Sequence, residues 1–348
     1  MNLPASSAVL PTLKSLQILR AVAAISVIYY HVGALPHFGS FGVDIFFVMS
    51  GFFMALVLAR KQEPFAFAVD RITRIVPLYW ILTTCLLVIA WLTPQILNST
   101  TANLENYLKS LLFVPYFKED GSLRPLLAVG WTLNYEMFFY LCLWCSLLIT
   151  RRFHLEISAL MVIASFVFFG HLSSDRVLHT FFKNVQLLEF VSGILSYKLY
   201  ASRVWRRVPP ALATAAALGA FFGMATAESL RLEMNGFWLY GLPSTLLVLA
   251  MLNLEPLFQR NSPIVRLWAQ MGDASYATYL SHYYVVELVR KFAWKKLQLI
   301  DPYTPLGVAL IVLASLVLGN LIYKLIDRPL MRFFKAQAFE FRLPMRPT

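Results

Sequence analysis

Apolar stretches long enough to cross a membrane recur along this chain and limit what it can fold into. Each contains about 16 to 23 residues, and a helix of about 20 apolar residues spans the hydrocarbon core of a bilayer. Several stretches, especially the fifth and sixth, are candidates for short or tilted spans. The apolar stretches of the whole chain predict ten membrane-spanning helices, at about 15–34, 42–59, 76–94, 128–149, 156–171, 179–199, 210–227, 236–253, 274–293 and 304–326.

The composition agrees with a membrane protein. Hydrophobic residues make up 59% of the chain and charged residues only 14%, which leaves too little polar surface for a soluble domain. The 28 Phe, 16 Tyr and 8 Trp residues suit a bundle with aromatic belts at both interfaces. We therefore predict an all-α fold, a polytopic transmembrane helix bundle. It has a short N-terminal segment 1–14, a membrane domain 15–327 and a short basic tail 328–348.

The net charge of +12 has two interpretations. Nucleic acid binding is not expected, because no RNA-binding motif or extended basic soluble segment is present. We interpret the excess as lysine and arginine retained in cytoplasmic loops, which predicts that both termini are cytoplasmic. The basic cluster 290–296 runs against this topology, so the ninth span is its weakest part.

Two segments between spans, and the cysteines, also carry predictions. Segment 60–75 mixes apolar and charged residues and predicts an amphipathic helix along the cytoplasmic interface, after which Pro77 starts the third span. Segment 95–127 is the largest predicted external loop and could partly cover an external opening. Cys142-x-x-Cys145 lies in an apolar span, where we interpret both residues as small hydrophobes rather than a redox pair.

The first predicted span carries two ionisable residues, Arg20 and His31. Their spacing is close to a whole number of turns, so both project from one stripe, roughly 16 Å apart along the axis. Ionisable groups in hydrocarbon usually face a protein interior or a wet cavity. One interpretation is a polar path inside the bundle. The alternative is that Arg20 extends to a lipid headgroup and His31 lies at the interface.

Two carboxylates are candidate partners for these residues. Asp44 opens the second span on the same side as His31. It could be only a cap of that helix, or it could also accept a hydrogen bond from His31 and fix its tautomer, since a cap can serve both roles. Glu136 lies inside the fourth span, where an unpaired carboxylate is costly. It either pairs with Arg20 or lines the site of an acceptor.

Arg71 and Arg74 lie at neighbouring positions on a helix and make a cationic edge. They either anchor the chain at the cytoplasmic surface or clamp a phosphorylated ligand, because guanidinium groups match phosphate geometry. Near the C-terminus, we expect Asp273 to cap a helix and His282 to be a packed or hydrogen-bonded histidine. No residues have convincing metal-ligand spacing, so no metal is predicted.

Five motifs make a more specific pattern when they are taken together. In chain order they are LRAVAAISVIYYH, FGVDIFFVMSGFFM, RITRIVPLYW, GWTLNYEMFFY and GDASYATYLSHYYV. This order resembles the acyltransferase 3 family of integral-membrane acyltransferases, from about Leu16 to Pro329. Within it, the chain looks most similar to the ExoZ-like exopolysaccharide O-acetyltransferase branch.

The resemblance implies a ten-helix bundle in the bacterial cytoplasmic (inner) membrane. Such a bundle moves an acyl group, usually acetyl from acetyl-CoA, to a hydroxyl of a cell-surface or exported glycan. His31 would remove the proton of that hydroxyl as general base. The catalytic candidates are His31, Asp44, Arg20 and Glu136, and the donor-binding candidates are Arg71, Arg74 and Tyr79.

The expected partners are membrane lipids and a glycan or lipid-linked saccharide, and a homo-oligomer is left open. The arginine pair is predicted inside and His31 near the external end. Either the donor arm crosses much of the bilayer, or an acyl relay carries the group outward, or the helices are tilted. The main alternative function is a transporter or flippase for a glycan or lipid-linked sugar. A structural or sensory membrane protein is a third.

Overall fold

The structure is a computed structural model that describes residues 12–34, 38–60, 62–92, 103–259 and 262–340. Predictions for most of the N-terminal segment 1–14, for the first part of loop 95–127 and for the end of the tail 328–348 lie outside the described residues. In the ranges described, the chain is helical and contains one isolated bridge but no strand. The all-α prediction is therefore confirmed.

Fifteen α-helices occur within the described ranges. Several are extended by a short turn of 3-10 or π geometry. In order, α1 to α15 are Lys14–Val32, Gly42–Leu58, Pro64–Leu92, Leu104–Leu111, Trp131–Ile149, His154–Val167, Arg176–Phe182, Leu187–Ser202, Pro210–Ser229, Leu242–Asn253, Glu255–Phe258, Pro263–Asp273, Ser275–Leu288, Pro305–Ile322 and Arg328–Glu340.

Six helical segments of the described chain are long and apolar enough to cross a membrane. They are Lys14–Val32, Pro64–Leu92, Ala128–Ile149, His154–Leu172, Pro210–Ser229 and Pro305–Gln337. Two shorter apolar helices, Gly42–Leu58 and Phe237–Asn253, match the second and eighth predicted spans. The chain is thus an integral membrane helix bundle, but the predicted count of ten spans is not confirmed.

The predicted sixth and ninth spans are the ones that differ from single long apolar helices. The sixth divides into α7 and α8, because the polar stretch 183–186 interrupts it. The ninth begins with α13, which has only 14 residues before a π turn at Val289–Trp294. Its sequence contains serine, histidine and tyrosine side chains that are buried against other helices rather than exposed to lipid.

The third helix corrects the prediction of a separate interfacial segment. Pro64–Leu92 is one helix of 29 residues, and Pro77 lies inside it instead of starting it. A proline within a helix removes one backbone donor, and such helices are tolerated when neighbouring helices supply new contacts. The acceptor that Pro77 leaves free is the carbonyl of Thr73, four residues earlier. Close to it, the Tyr276 hydroxyl of α13 donates to the carbonyl of Ile75 at 2.7 Å. The arginine pair therefore lies on a spanning helix.

Glycines let α2 and α8 approach closely in the middle of the bundle. A Cβ on Gly193 would overlap the carbonyl oxygen of Val48 and lie only 2.7 Å from the backbone nitrogen of Phe52. Gly51 faces it across the crossing, where a Cβ would meet the carbonyl oxygen of Phe190. Small residues allow such crossings in membranes, where van der Waals packing drives helix association. This crossing holds α2 in place beside α1.

We expect Gly193→Ala to lower the free energy of unfolding in detergent by about 1–3 kcal/mol, because the added methyl group has no space. Gly219→Ala on α9 is the matched control, since no atom lies within 4 Å of the position its Cβ would take. That control should be neutral or raise stability slightly. The same loss in both variants, or no loss in either, would refute the close crossing.

Candidate active site

An internal cavity of about 280 Å³ lies among α1, α2, α3, α5 and α13. Phenylalanine, methionine and valine side chains form part of its wall. Its polar wall consists of Arg20, Ser50, Arg71, Arg74, Thr132, Glu136, Tyr140, Ser275, Tyr276 and Tyr279. The structure thus brings together four predicted site residues that are far apart in sequence, namely Arg20, Arg71, Arg74 and Glu136. The other three, His31, Asp44 and Tyr79, are not part of the lining.

Arg20 connects α1 to the start of α13 at the cavity wall. Its Nε donates to the Ser275 hydroxyl at 3.1 Å. One turn earlier, Gln17 Nε2 donates to Asp273 Oδ1 at 2.8 Å. Asp273 ends α12 and does not cap α13, whose N-cap is Ala274, so the expected cap is wrong. Arg20 faces the protein interior rather than a lipid headgroup.

Glu136 is held by hydroxyl groups rather than by an arginine. Its Oε1 accepts from the Ser50 hydroxyl at 3.0 Å and from the Tyr140 hydroxyl at 2.5 Å. Among the described residues it forms no direct ion pair with Arg20, which corrects the predicted pairing. The two side chains line the same cavity instead. Two hydroxyl donors satisfy part of the hydrogen-bonding capacity of this intramembrane carboxylate.

The two arginines of α3 have different surroundings. Arg74 forms an ion pair with Asp327 at 3.0 Å and lies over the ring of Tyr276, 5.2 Å from its centroid. Arg71 donates to the Met54 sulfur at 3.6 Å and lies over the ring of Tyr140, 6.0 Å from its centroid, and it forms no ion pair among the described residues. A cation that lacks an anionic partner at a cavity wall is suited to binding an anion.

Tyr79, predicted to contact the donor, lies away from the cavity. The side chain is fully buried, its ring stacks on Phe113 with centroids 5.0 Å apart, and its hydroxyl donates to the carbonyl of Ser110 at 3.2 Å. Gly130 also lies against this ring. The ring and hydroxyl of Tyr79 hold the loop after α4 against α3, and its contact with the donor stays a prediction.

Asp44 lies in the first turn of α2, where a negative charge interacts favourably with the helix dipole. Its Oδ1 accepts from Gln186 Nε2 at 3.2 Å, and its carboxyl group lies close to that of Glu189 on α8. No hydrogen bond joins it to His31 within the described residues. The N-cap of α2 is Phe41, so Asp44 is neither the cap nor the partner of His31.

His31 contacts a second histidine instead. Its Nδ1 lies 2.9 Å from the carbonyl oxygen of Val27 and 3.2 Å from Nε2 of His282 on α13. His282 is fully buried, and its Nδ1 lies 2.6 Å from the carbonyl oxygen of Tyr279. Because Tyr279 also lines the cavity, it separates the cavity from the histidine pair.

Hydrogen bonds fix the loop after α4 in place. The Ser110 hydroxyl binds the Tyr116 hydroxyl at 3.0 Å and accepts from the backbone N–H of Leu126 at 2.8 Å. The buried Lys118 amine donates to the Leu126 carbonyl at 3.2 Å, and burial lowers the pKa of this amine. Arg124 of this loop is close enough to act on His31 electrostatically. The predicted cover over an external opening stays a prediction.

Several residues around the site were not predicted as site residues. Ser50, Tyr140, Ser275 and Tyr276 are polar groups within apolar runs or at helix starts, and only the fold shows that they meet in one cavity. Within the described ranges, no group of three or more His, Cys, Asp or Glu side chains could hold a metal ion. All three cysteines are unpaired thiols, with Cys142 buried and Cys145 half-buried.

The fold is that of an integral membrane helix bundle, and the wall of its cavity carries three arginines. A family model described as an acyltransferase domain, of the acyltransferase 3 type, matches residues 13–324. The chain is 35% identical over 307 residues to the exopolysaccharide production protein ExoZ of Rhizobium meliloti, which covers 86% of this chain and 92% of ExoZ. It is 24% identical over 362 residues to the acyltransferase MdmB of Streptomyces mycarofaciens, which covers 92% of each chain. No solved structure matches.

The chain belongs to the acyltransferase 3 family. It is an acyl-transferring enzyme, as the five motifs predicted, and its similarity to ExoZ confirms the predicted resemblance. The family assignment favours group transfer over the transport and sensory alternatives.

Proposed function

We propose that this enzyme transfers an acetyl group from acetyl-CoA to a hydroxyl of an exported polysaccharide or its lipid-linked precursor. The family supports acyl transfer, and the name of ExoZ connects a relative to exopolysaccharide production. We also propose that the protein lies in the bacterial inner membrane with both termini in the cytoplasm, where acetyl-CoA is available. The proposal allows a monomer or a homo-oligomer.

One observation carries this proposal: the cavity wall combines three arginines with a largely apolar lining. Arg74 already has a carboxylate partner, whereas Arg71 has none among the described residues. Coenzyme A offers phosphate groups for the arginines and an elongated thioester arm for the apolar wall. We therefore assign Arg71 as the main phosphate contact, with Arg74 and Arg20 contributing positive charge.

The acetyl transfer that we propose at His31 requires one base. A hydroxyl is a weak nucleophile at neutral pH, and a positioned base typically accelerates its attack about 10²–10⁴-fold. His31 Nε2 would take the hydroxyl proton as the oxygen bonds to the acetyl carbon. The carbon–sulfur bond then breaks, and the proton passes to the departing thiolate, giving free CoA and an acetyl ester. Asp44, away from His31, is proposed only to support α2.

The acetyl group must travel from the cavity to His31. Tyr279 and Phe46, whose ring centroids are 6.1 Å apart, both line the cavity on the side where Tyr279 contacts His282. The thioester arm would pass these rings to reach His31. In direct transfer the acceptor oxygen takes the acetyl group from CoA. In a relay, Nε2 of His31 carries it first, and labelled acetyl on the protein without acceptor would identify this route.

A transfer assay tests the function directly. The purified full-length protein is reconstituted into vesicles with radiolabelled acetyl-CoA. The acceptor is exopolysaccharide from a strain that lacks the gene, stripped of its acetyl groups by mild alkali. We expect base-labile label on the polysaccharide. The double variant Arg71→Ala/His31→Ala should transfer none. The assay is repeated with a lipid-linked saccharide as acceptor. If the label stays on CoA with both acceptors, the proposed acceptors are refuted. Movement of unmodified saccharide across the vesicle membrane would favour transport.

A further inference from the structure

Two histidines, His31 of α1 and His282 of α13, form a hydrogen-bonded pair. We propose that His282 is a positioning residue that holds His31 in the tautomer whose Nε2 is unprotonated. The proposal rests on the proposed role of His31 as the base. It assigns to His282 the orienting function that the sequence had suggested for Asp44.

The hydrogen bonds determine where the protons lie, beginning at Tyr279. A backbone carbonyl only accepts, so the 2.6 Å contact requires that Nδ1 of His282 carries a proton and donates it to the Tyr279 oxygen. In a neutral imidazole the other nitrogen is then an acceptor. His282 is fully buried, where a charged imidazolium without a carboxylate partner is costly. Nε2 of His282 therefore offers a lone pair.

That lone pair determines the state of His31. Nδ1 of His31 lies 3.2 Å from Nε2 of His282 and 2.9 Å from the carbonyl oxygen of Val27. Both neighbours are acceptors, so Nδ1 of His31 must carry the proton. Nε2 is then the unprotonated nitrogen, and it is the one that could accept a proton from a substrate hydroxyl. The tautomer thus follows from two carbonyl groups and one buried ring.

The free nitrogen of His31 is also the accessible one. His31 is half-buried, and its Nε2 makes no hydrogen bond within the described chain, yet it is not among the sealed polar atoms. The ring is flanked by Tyr30 and Tyr283, with centroids 5.2 and 5.9 Å away. These edge contacts hold the plane of the ring but do not choose its tautomer. The Val27 carbonyl already favours a proton on Nδ1, and the lone pair of His282 Nε2 is a second acceptor for the same proton, which an apolar residue of the same size would not supply.

His154 provides a matched control for a buried histidine. It is 4% exposed, and its Nδ1 lies 2.9 Å from the carbonyl oxygen of Arg151, much as His282 binds Tyr279. Its Nε2 contacts no polar partner in the part of the chain that the structure describes. His154 therefore shares the burial and the local bond of His282, but not the contact with His31.

We expect His282→Leu to lower kcat for acetyl transfer about 10- to 100-fold, the loss typical when the hydrogen-bond partner of a metal-binding histidine is removed, with KM for acetyl-CoA unchanged. The loss is smaller than for His31→Ala, because the Val27 carbonyl still accepts from Nδ1. His282→Gln should recover part of the rate, since an amide oxygen can accept the same hydrogen bond. His154→Leu should leave kcat unchanged.

A spectroscopic measurement tests the tautomer without relying on activity. In ¹⁵N-histidine-labelled protein in vesicles, the His31 signals, assigned with His31→Gln, should show a protonated Nδ1 and an unprotonated Nε2. His282→Leu should raise the fraction of His31 that is protonated on Nε2, with the Val27 carbonyl preserving part of the preference for Nδ1. A wild-type His31 protonated on Nε2 would overturn the proposal, even if the leucine variant failed to fold. Full activity of His282→Leu beside an inactive His31→Ala would overturn the positioning role alone, whereas an active His31→Ala would refute the proposed base.

Discussion

Replacing His31 with alanine is expected to lower kcat for acetyl transfer by about 10²–10⁴-fold, the contribution typical of a general base. Donor binding should persist, because His31 lies outside the cavity whose wall contains Arg20, Arg71 and Arg74. The experiment measures kcat with labelled acetyl-CoA and the de-acetylated polysaccharide. It also measures CoA binding as the rise in the thermal unfolding midpoint of the detergent-solubilised protein.

Two controls separate chemistry from folding in this experiment. The His31→Ala protein should show the same CoA-induced rise in its midpoint as the wild type. His154→Leu, another histidine replacement inside the bundle, should retain both activity and binding. Near-normal transfer by His31→Ala would remove the base assignment. Loss of CoA stabilisation would show instead that His31 supports the fold or the donor site.

The second large effect is expected for Arg71. Arg71→Ala should raise KM for acetyl-CoA about 10- to 100-fold, because a hydrogen bond to a charged group contributes about 1.5–3 kcal/mol. Arg71 has no carboxylate partner in the described chain, so its charge is available to a ligand. Arg71→Lys should recover only part of the affinity, since an ammonium group cannot reproduce the planar, bidentate contact. The measurement is KM, with CoA-induced thermal stabilisation as a second readout.

Matched arginine variants show whether this effect is specific. Arg152→Ala removes an exposed charge next to Phe153, away from the cavity, and should leave KM unchanged. Arg74→Ala should lower the thermal midpoint without ligand as well, because it leaves Asp327 buried and unpaired. An unchanged KM in Arg71→Ala, with unchanged CoA stabilisation, would eliminate the phosphate contact.

Much of the architecture was predictable because burial in a membrane leaves a strong pattern. Apolar runs of sufficient length identified α1, α3, α5, α6, α9 and α14 as candidate spans. The predictions failed where tertiary contacts replaced that pattern. A polar stretch divides the sixth run into α7 and α8, and α13 buries its polar residues against other helices. Pro77 stays inside α3, where Tyr276 from α13 binds the Ile75 carbonyl.

The candidate site was also predictable only in part. The sequence pointed to Arg20, Arg71 and Glu136 because ionisable groups are costly in hydrocarbon, and all three line one cavity. It could not assign their partners. Pairing depends on distances between helices that are far apart in sequence, so Glu136 binds Ser50 and Tyr140 rather than an arginine.

By itself, the sequence determined that this protein is a membrane helix bundle of the acyltransferase 3 family, and that α1 carries Arg20 and His31 on one stripe. Helical periodicity and the cost of buried charge require no knowledge of neighbouring helices. Only the tertiary structure decided what each residue faces. Arg20 faces the cationic cavity, and His31 faces His282, 251 positions away in sequence. The packing of α13 against α1 brings the two rings together, and no local pattern encodes that contact.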